Sequence, residues 1–184
     1  MSNTGIQVDD LRYMVKSVLE GLAAGARNGK SMASKDAVEL VLRTIVCEGL
    51  IGNNFHLRQK KSGGRIGVAR GIAQFEPWVA RSVINDYLAY RRSLREDIEA
   101  VCLCDLSMIN DDTPEEMKLM DLQLQGNMLL NIALCRMKYR PVPRPIPPHE
   151  NVPAQARYWL KYYNAGGKGT VAKFRSAANR TAQQ

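Results

Sequence analysis

Ser34-Lys35-Asp36-Ala37-Val38-Glu39-Leu40-Val41-Leu42-Arg43-Thr44-Ile45-Val46-Cys47-Glu48-Gly49 is the stretch on which the reading of this chain turns. A serine followed by an acid in the next turn marks a helix start, because its hydroxyl accepts a backbone N–H that has no partner inside the helix. Val38, Leu42, Ile45, Val46 and Gly49 then recur at steps of three and four, so one face packs inward. The glycines from Gly49 to Gly52 end the helix. Glu48 lies in its last turn, directly after three apolar residues. A carboxyl there is partly desolvated and sits at the negative end of the helix. Both conditions favour the protonated form, which is the form a general acid must hold. The plainer reading is a helix-end glutamate facing water.

Outward from this helix the pattern stays helical. Asp9 or Asp10 can cap a first helix over Leu11–Ala24, with Leu11, Val15, Val18, Leu19 and Leu22 inward and Gly25 and Gly29 at its end. From Phe55 to Phe75 no period holds. Lys60-Lys61-Ser62-Gly63-Gly64-Arg65, Gly67 and Gly71 make it a long loop, the kind of segment that carries function. Glu76-Pro77 opens another helix, and a helical segment follows over Leu94–Leu106. Thr113-Pro114-Glu115-Glu116 is a capping box. With Met117, Met120, Leu124, Met128, Ile132 and Cys135 at helical spacing, it predicts one long central helix reaching Met137 or Tyr139. Pro141-Val142-Pro143-Arg144-Pro145-Ile146-Pro147-Pro148 stops that helix as an extended strap. Pro153–Tyr163 reads as a helix, and Thr170 caps a last one through Ala177. No alternating pattern of useful length appears. The fold class is therefore all-α: an N-terminal helix or extension over 1–33, one domain over 34–178, and a frayed tail over 179–184.

A chain of 184 residues with 45% hydrophobic and 24% charged residues suits one globular domain with a real core. No run approaches the ~20 apolar residues of a membrane helix. The first ten residues carry Asp9 and Asp10 and no basic region, so a secretory signal is not expected. Cys47, Cys102, Cys104 and Cys135 form no CxxC and are joined by only two histidines, His56 and His149. Reduced core thiols are expected, with no metal and no cofactor. The net charge of +8 is unevenly spread: residues 1–135 hold 16 Lys+Arg against 17 Asp+Glu, and residues 136–184 hold 10 against one. This cationic quarter attracts nucleic acid, membrane headgroups or an anionic cell wall, without choosing among them. No helix-turn-helix or zinc signature makes nucleic acid a specific ligand.

Two further segments bear on Glu48. In Gly71-Ile72-Ala73-Gln74-Phe75-Glu76-Pro77 a flexible glycine can admit a ligand close to the backbone, and Gln74 can bond a sugar hydroxyl or N-acetyl group. In Tyr162-Tyr163-Asn164-Ala165-Gly166-Gly167-Lys168-Gly169, tyrosines and an amide before a glycine turn suit a carbohydrate cleft. The plainer readings are a loop with a locally capping Gln74, and a helix end with a core tyrosine.

Glu48-Gly49, Gly71-Ile72-Ala73-Gln74 and Tyr163-Asn164-Ala165-Gly166, in that order, resemble the lysozyme-like lytic transglycosylases, and most nearly the phage transglycosylase-like proteins. The resemblance runs from about residue 36 to 174. It implies a lysozyme-like domain with a long cleft loop, and a peptidoglycan-cleaving activity at the β-1,4 bond between N-acetylmuramic acid and N-acetylglucosamine. By that resemblance Glu48 is the general acid and base and Tyr163 holds or polarises it. Gln74, Gly71, Asn164 and Tyr162 line the glycan site. The implied partners are glycan strands of the bacterial wall and other phage virion proteins. The implied setting is a virion component, made in the host cytoplasm, that opens the wall. The alternative is a helical virion assembly protein that keeps the fold without activity. One departure is Gly49, where the family often has serine. Glu76 could serve as a second carboxylate, although its place before Pro77 fits helix capping better.

Overall fold

A computed structural model of the chain describes residues 6–25, 29–51, 54–107 and 113–182. It is a mostly helical single domain. Its elements are α1 (Val8–Gly25), α2 (Gly29–Met32), α3 (Lys35–Gly49), β1 (Leu50–Ile51), β2 (Asn54–Phe55), β3 (Arg58–Lys60) and β4 (Ile66–Arg70). After these come α4 (Pro77–Ser82), running on as a π-helical stretch over Val83–Leu88, then α5 (Arg92–Cys102), α6 (Pro114–Gly126), α7 (Met128–Tyr139), α8 (Val152–Tyr162) and α9 (Val171–Ala182).

Helix α3 is the axis of the core. Ser34 caps it as its sequence predicts, the hydroxyl accepting the Ala37 N–H at 3.2 Å. Every residue from Ala37 to Cys47 is buried, so the helix is covered all round by α1, α7, α8 and α9. Leu40, Leu42 and Ile45 are wholly enclosed. Each such side chain stabilises the fold by roughly 1.5–3 kcal/mol relative to an exposed one. Arg43 and Thr44 enter this core with partners in place, and the Arg43 Nε–H is buried without a hydrogen bond. Arg43 donates to the His149 carbonyl at 2.7 Å and to Gln155 Oε1 at 2.8 Å. Thr44 Oγ1 lies 2.8 Å from the Tyr139 hydroxyl.

Four sequence expectations change. The first helix is no appendage: Leu11, Val15, Leu19 and Leu22 are fully inside the common core, and Arg12 reaches Glu39 at 3.0 Å. The predicted central helix is two helices. Gly126 ends α6, and Asn127 leaves helical backbone and recaps α7 through its Oδ1, which accepts the Leu130 N–H at 2.9 Å. An unbroken apolar period hid the break, because both helices bury the same stripe. The loop after α3 is not free of strands. β1 pairs antiparallel with β2, and β3 with β4. In β4 the inward residues are Gly67 and Ala69 and the outward ones are Ile66 and Val68, which erases the usual apolar-in alternation. The tail is helical to Ala182, with Thr181 buried and its carbonyl accepting from Arg12 at 2.5 Å.

The proline strap is irregular, with a turn at Arg140–Pro141 and a bend at Pro143–Arg144, and is tied down from α8. The Tyr158 hydroxyl donates to the Arg144 carbonyl at 3.1 Å, and Gln155 Nε2 to the Pro147 carbonyl at 3.0 Å. These bonds hold α8 against the strap, and α8 with the turn after it brings Trp159 and Asn164 to the end of α3.

Candidate active site

The last turn of α3, the loop 71–76, the β3–β4 hairpin and the glycine turn after α8 enclose a cleft of about 740 Å3. Glu48 stands on its wall with its side chain 12% exposed. Two donors meet at one oxygen. Trp159 Nε1–H donates to Glu48 Oε1 at 3.1 Å, and Asn164 Nδ2 donates to the same oxygen at 3.0 Å. Oε2 takes no hydrogen bond among the described residues, and the Lys173 ammonium of α9 lies 3.8 Å from it. The carboxyl is therefore clamped by hydrogen bonds at one oxygen and ion-paired with Lys173 at the other, on the wall of the cleft. Buried hydrogen bonds of this kind restrict the rotamer, which is what a proton-transferring group requires.

Asn164 is held in turn. Its Oδ1 accepts the Gly169 N–H at 2.9 Å, and its backbone N–H donates to the Trp159 carbonyl at 3.0 Å. A Cβ at Gly167 or Gly169 would collide with the Asn164 side chain, and at Gly169 also with the Trp159 ring. The glycines of 166–169 thus let the turn wrap the amide closely. Trp159 is fully buried and packs on Phe174 with ring centroids 5.3 Å apart.

Tyr163 shares the cleft with Glu48 but does not hold it. Its hydroxyl donates to the Ala73 carbonyl at 2.8 Å, and burial pushes its pKa well above the usual tyrosine value. Its work is to pin the loop 71–76 to the end of α8. The ring packs against Tyr139 and Phe75, with centroids 5.5 and 5.8 Å away. Gln74 also faces the cleft. Its Nε2 donates to the His56 and Gly71 carbonyls, both at 2.8 Å, so both amide hydrogens are spent on the loop. Two carbonyl partners fix which end of the amide is nitrogen. Oε1, an acceptor, remains for a ligand hydroxyl or N–H.

Two residues predicted for the glycan site lie elsewhere. Gly71 has φ +71°, and a Cβ there would strike Asn131 Oδ1 and the Leu124 carbonyl. Its freedom serves close packing on the α6–α7 junction rather than approach of a ligand. Tyr162 packs edge-on against Tyr158, with centroids 4.7 Å apart, and does not line the cleft. Glu76 occupies the N-cap position of α4, but its side chain makes no capping hydrogen bond and lines the cleft.

The sequence reading missed Trp159, Lys138 and Lys173. Trp159 stands four residues before Tyr163, on one helical face with it, and that spacing was the available signal. Lys138 donates to the Tyr163 carbonyl at 2.8 Å, and its ammonium lies 4.1 Å from the Tyr163 ring centroid. Burial lowers its pKa, while Cys135, Glu48 and Glu76 act to raise it. Lys60, Lys61, Lys138, Lys168 and Lys173 line the cleft against the two carboxylates Glu48 and Glu76, so it carries an excess of positive charge. Cys47 lies on the same wall, where burial pushes the thiol up to about 12.

Away from the cleft, ligand atoms of Asp36, His149 and Glu150 lie within 4.8 Å of one another. The imidazole nitrogens face the two carboxylates, at 2.8 Å to Asp36 and 3.0 Å to Glu150. Each nitrogen thus already has a partner of its own. No helix among the described residues is long and apolar enough to cross a membrane.

No family model, no curated protein and no solved structure matches the chain.

Proposed function

We propose that the protein is a peptidoglycan-cleaving lytic transglycosylase with a lysozyme-like domain, and that Glu48 carries both proton transfers. The observation that supports this most is the clamped carboxyl. A single glutamate at a helix end is fixed at Oε1 by two N–H donors, pairs with Lys173 at Oε2 and lines a cleft with room for sugar rings. In this reading Glu48 gives its proton to the glycosidic oxygen as the C1–O bond breaks. The resulting carboxylate then takes the proton of the muramyl 6-hydroxyl as O6 bonds to C1. The products are a free 4-hydroxyl on the leaving sugar and a 1,6-anhydro ring, with no water consumed. Gln74 Oε1 serves as acceptor for an amide or hydroxyl of the glycan. The surplus lysines suit a polymer that carries carboxylates on its peptides. The setting that accords with the resemblance is a phage virion component acting in the host wall.

Digestion of purified peptidoglycan by the wild type and by Glu48→Gln, read by mass spectrometry, tests this. Anhydro-muropeptides, lighter than the hydrolysed forms by one water, should appear with the wild type and vanish with the variant. Reducing-end products would mean hydrolysis and would make Glu76 the next residue to replace. A folded wild type that leaves peptidoglycan intact would overturn the enzymatic reading in favour of a virion assembly role.

A further inference from the structure

A second cavity, of about 360 Å3, opens at the other end of α3. Twelve residues of helix separate Asp36 on its wall from Glu48, about 18 Å at the α-helical rise, so the two sites do not overlap. Three arginines line it: Arg136 from inside α7, Arg140 just past the end of α7, and Arg144 on the strap.

Arg136 is the unusual member. It is 3% exposed, and the acceptors it has among the described residues are the carbonyls of Met32, at 3.1 Å, and Ser31, at 3.0 Å. No carboxylate among those residues pairs with it. Buried charges are ordinarily compensated by an opposite charge, because a lone one forfeits its hydration. Burial and the neighbouring Arg140 lower its pKa to about 10, which still leaves it charged at neutral pH. Arg140 is half-buried, and neither its guanidinium nor that of Arg144 has a hydrogen bond or ion pair among the described residues. The acid on this wall, Asp36, is engaged elsewhere, its Oδ1 accepting the His149 backbone N–H at 2.7 Å and facing the imidazole Nδ1 at 2.8 Å. Ser34 adds a hydroxyl whose own hydrogen is available, since its oxygen acts as acceptor in the α3 cap.

We propose that this cavity binds a phosphate group, with Arg136 as the buried counter-charge and Arg140 and Arg144 closing over it. Planar guanidinium forks arriving from three places match a tetrahedral oxyanion better than a carboxylate, which presents only two oxygens. The cavity exceeds a bare phosphate in size, so a phosphate ester with a small organic substituent is the ligand class. The chemistry is shared by soluble esters and phospholipid headgroups.

The test is calorimetric titration of the full chain with inorganic phosphate and with glycerol 3-phosphate, against chloride at equal ionic strength. Saturable binding is expected in the wild type and in Glu48→Gln alike. Arg140→Gln/Arg144→Gln should bind about tenfold more weakly, the loss of roughly one charge-assisted hydrogen bond. Neither guanidinium makes a hydrogen bond or ion pair among the described residues, so the melting temperature without ligand should hold. Arg136 is left in place because its replacement threatens the packing of α2. A third arm uses phosphatidylglycerol vesicles. Phosphate that displaces the protein from them identifies a headgroup as the source, and phosphate that binds without displacing it identifies a soluble ester; both uphold the site. Phosphate binding no better than chloride, or equal affinity in the double variant, overturns the proposal. So does binding to vesicles alone.

Discussion

Gly49→Ala should destabilise the protein although the same exchange in a helix ordinarily stabilises it. An alanine gains up to about 1 kcal/mol over glycine in helical backbone. A Cβ at position 49, however, would overlap the carbonyl of Ile72, and its nearest contacts are backbone atoms that no rotamer change can move. The segment that would have to retreat is tied on every side. Gly71 N–H donates to the Leu57 carbonyl at 2.8 Å, Ala73 N–H to Asn131 Oδ1 at 3.3 Å, and Tyr163 to the Ala73 carbonyl at 2.8 Å. Overpacking of this kind costs about 1–3 kcal/mol. Weakening one buried hydrogen bond adds about 1 kcal/mol. Against the helical gain, a net loss of about 2 kcal/mol remains, which in a domain of this size lowers Tm by about 4–8 °C. Thermal unfolding followed by circular dichroism reads it. Gly126→Ala is the matched control, because a Cβ there has nothing within 4 Å. It should leave Tm unchanged or raise it. If Gly49→Ala melts with or above the wild type, the close approach of α3 to the loop 71–75 is wrong.

Other outcomes follow from named contacts. Trp159→Phe removes one of the two donors on Glu48 Oε1; under the proposed function it should lower the rate of peptidoglycan cleavage about tenfold, measured by product release at saturating substrate. Asn131→Leu strands the Ala73 N–H and the Leu124 carbonyl, whose bonds to the amide are 3.3 and 2.7 Å, and should cost about 2–4 kcal/mol by urea unfolding. Ending the chain at Ala178 removes the buried Thr181 and its carbonyl bond to Arg12, and should cost about 1–3 kcal/mol by the same assay. Cys47, Cys102 and Cys135 are each raised to about 12 by burial. At pH 8 these three thiols in the native chain should alkylate about a thousandfold more slowly than thiols of ordinary pKa. Because the folded chain binds these protons more tightly than the unfolded one, the stability they lend is intact below pH 9. It is lost as the pH climbs towards 12, which unfolding at a series of alkaline pH values would show.

Helix α3 was legible in full because cap, period and glycine stop agree over Ser34–Gly49. The end of α7 before Pro141 was legible because proline cannot continue a helix. What stayed hidden had a specific cause each time. The α6–α7 break leaves the apolar stripe unbroken and is made by a single side chain, Asn127, satisfying its own helix start. The β3–β4 hairpin turns glycine and alanine inward, so its strands carry no apolar alternation. The length of α9 past Ala177 depends on Arg12, which lies 169 residues away from Thr181. At the site, local sequence singled out Glu48 and Gln74 and the tyrosine–asparagine end of α8. It did not order their contacts. That Asn164 and Trp159 reach the carboxyl while Tyr163 reaches the loop depends on how α8 is rotated, and the strap bonds of Tyr158 and Gln155 bear on that from outside the helix.

The contact between the end of α3 and Ile72 also constrains how this chain can vary. Position 49 and the segment 71–75 form one unit of change, because any side chain at 49 requires the loop to stand farther off. A farther loop would give up the tyrosine bond that closes the cleft floor. Serine at 49 would therefore need a different loop as well, and either exchange made alone should weaken the fold. A loop taken from a chain with a side chain at the position of Gly49, grafted without its own helix end, should therefore fold poorly in this chain.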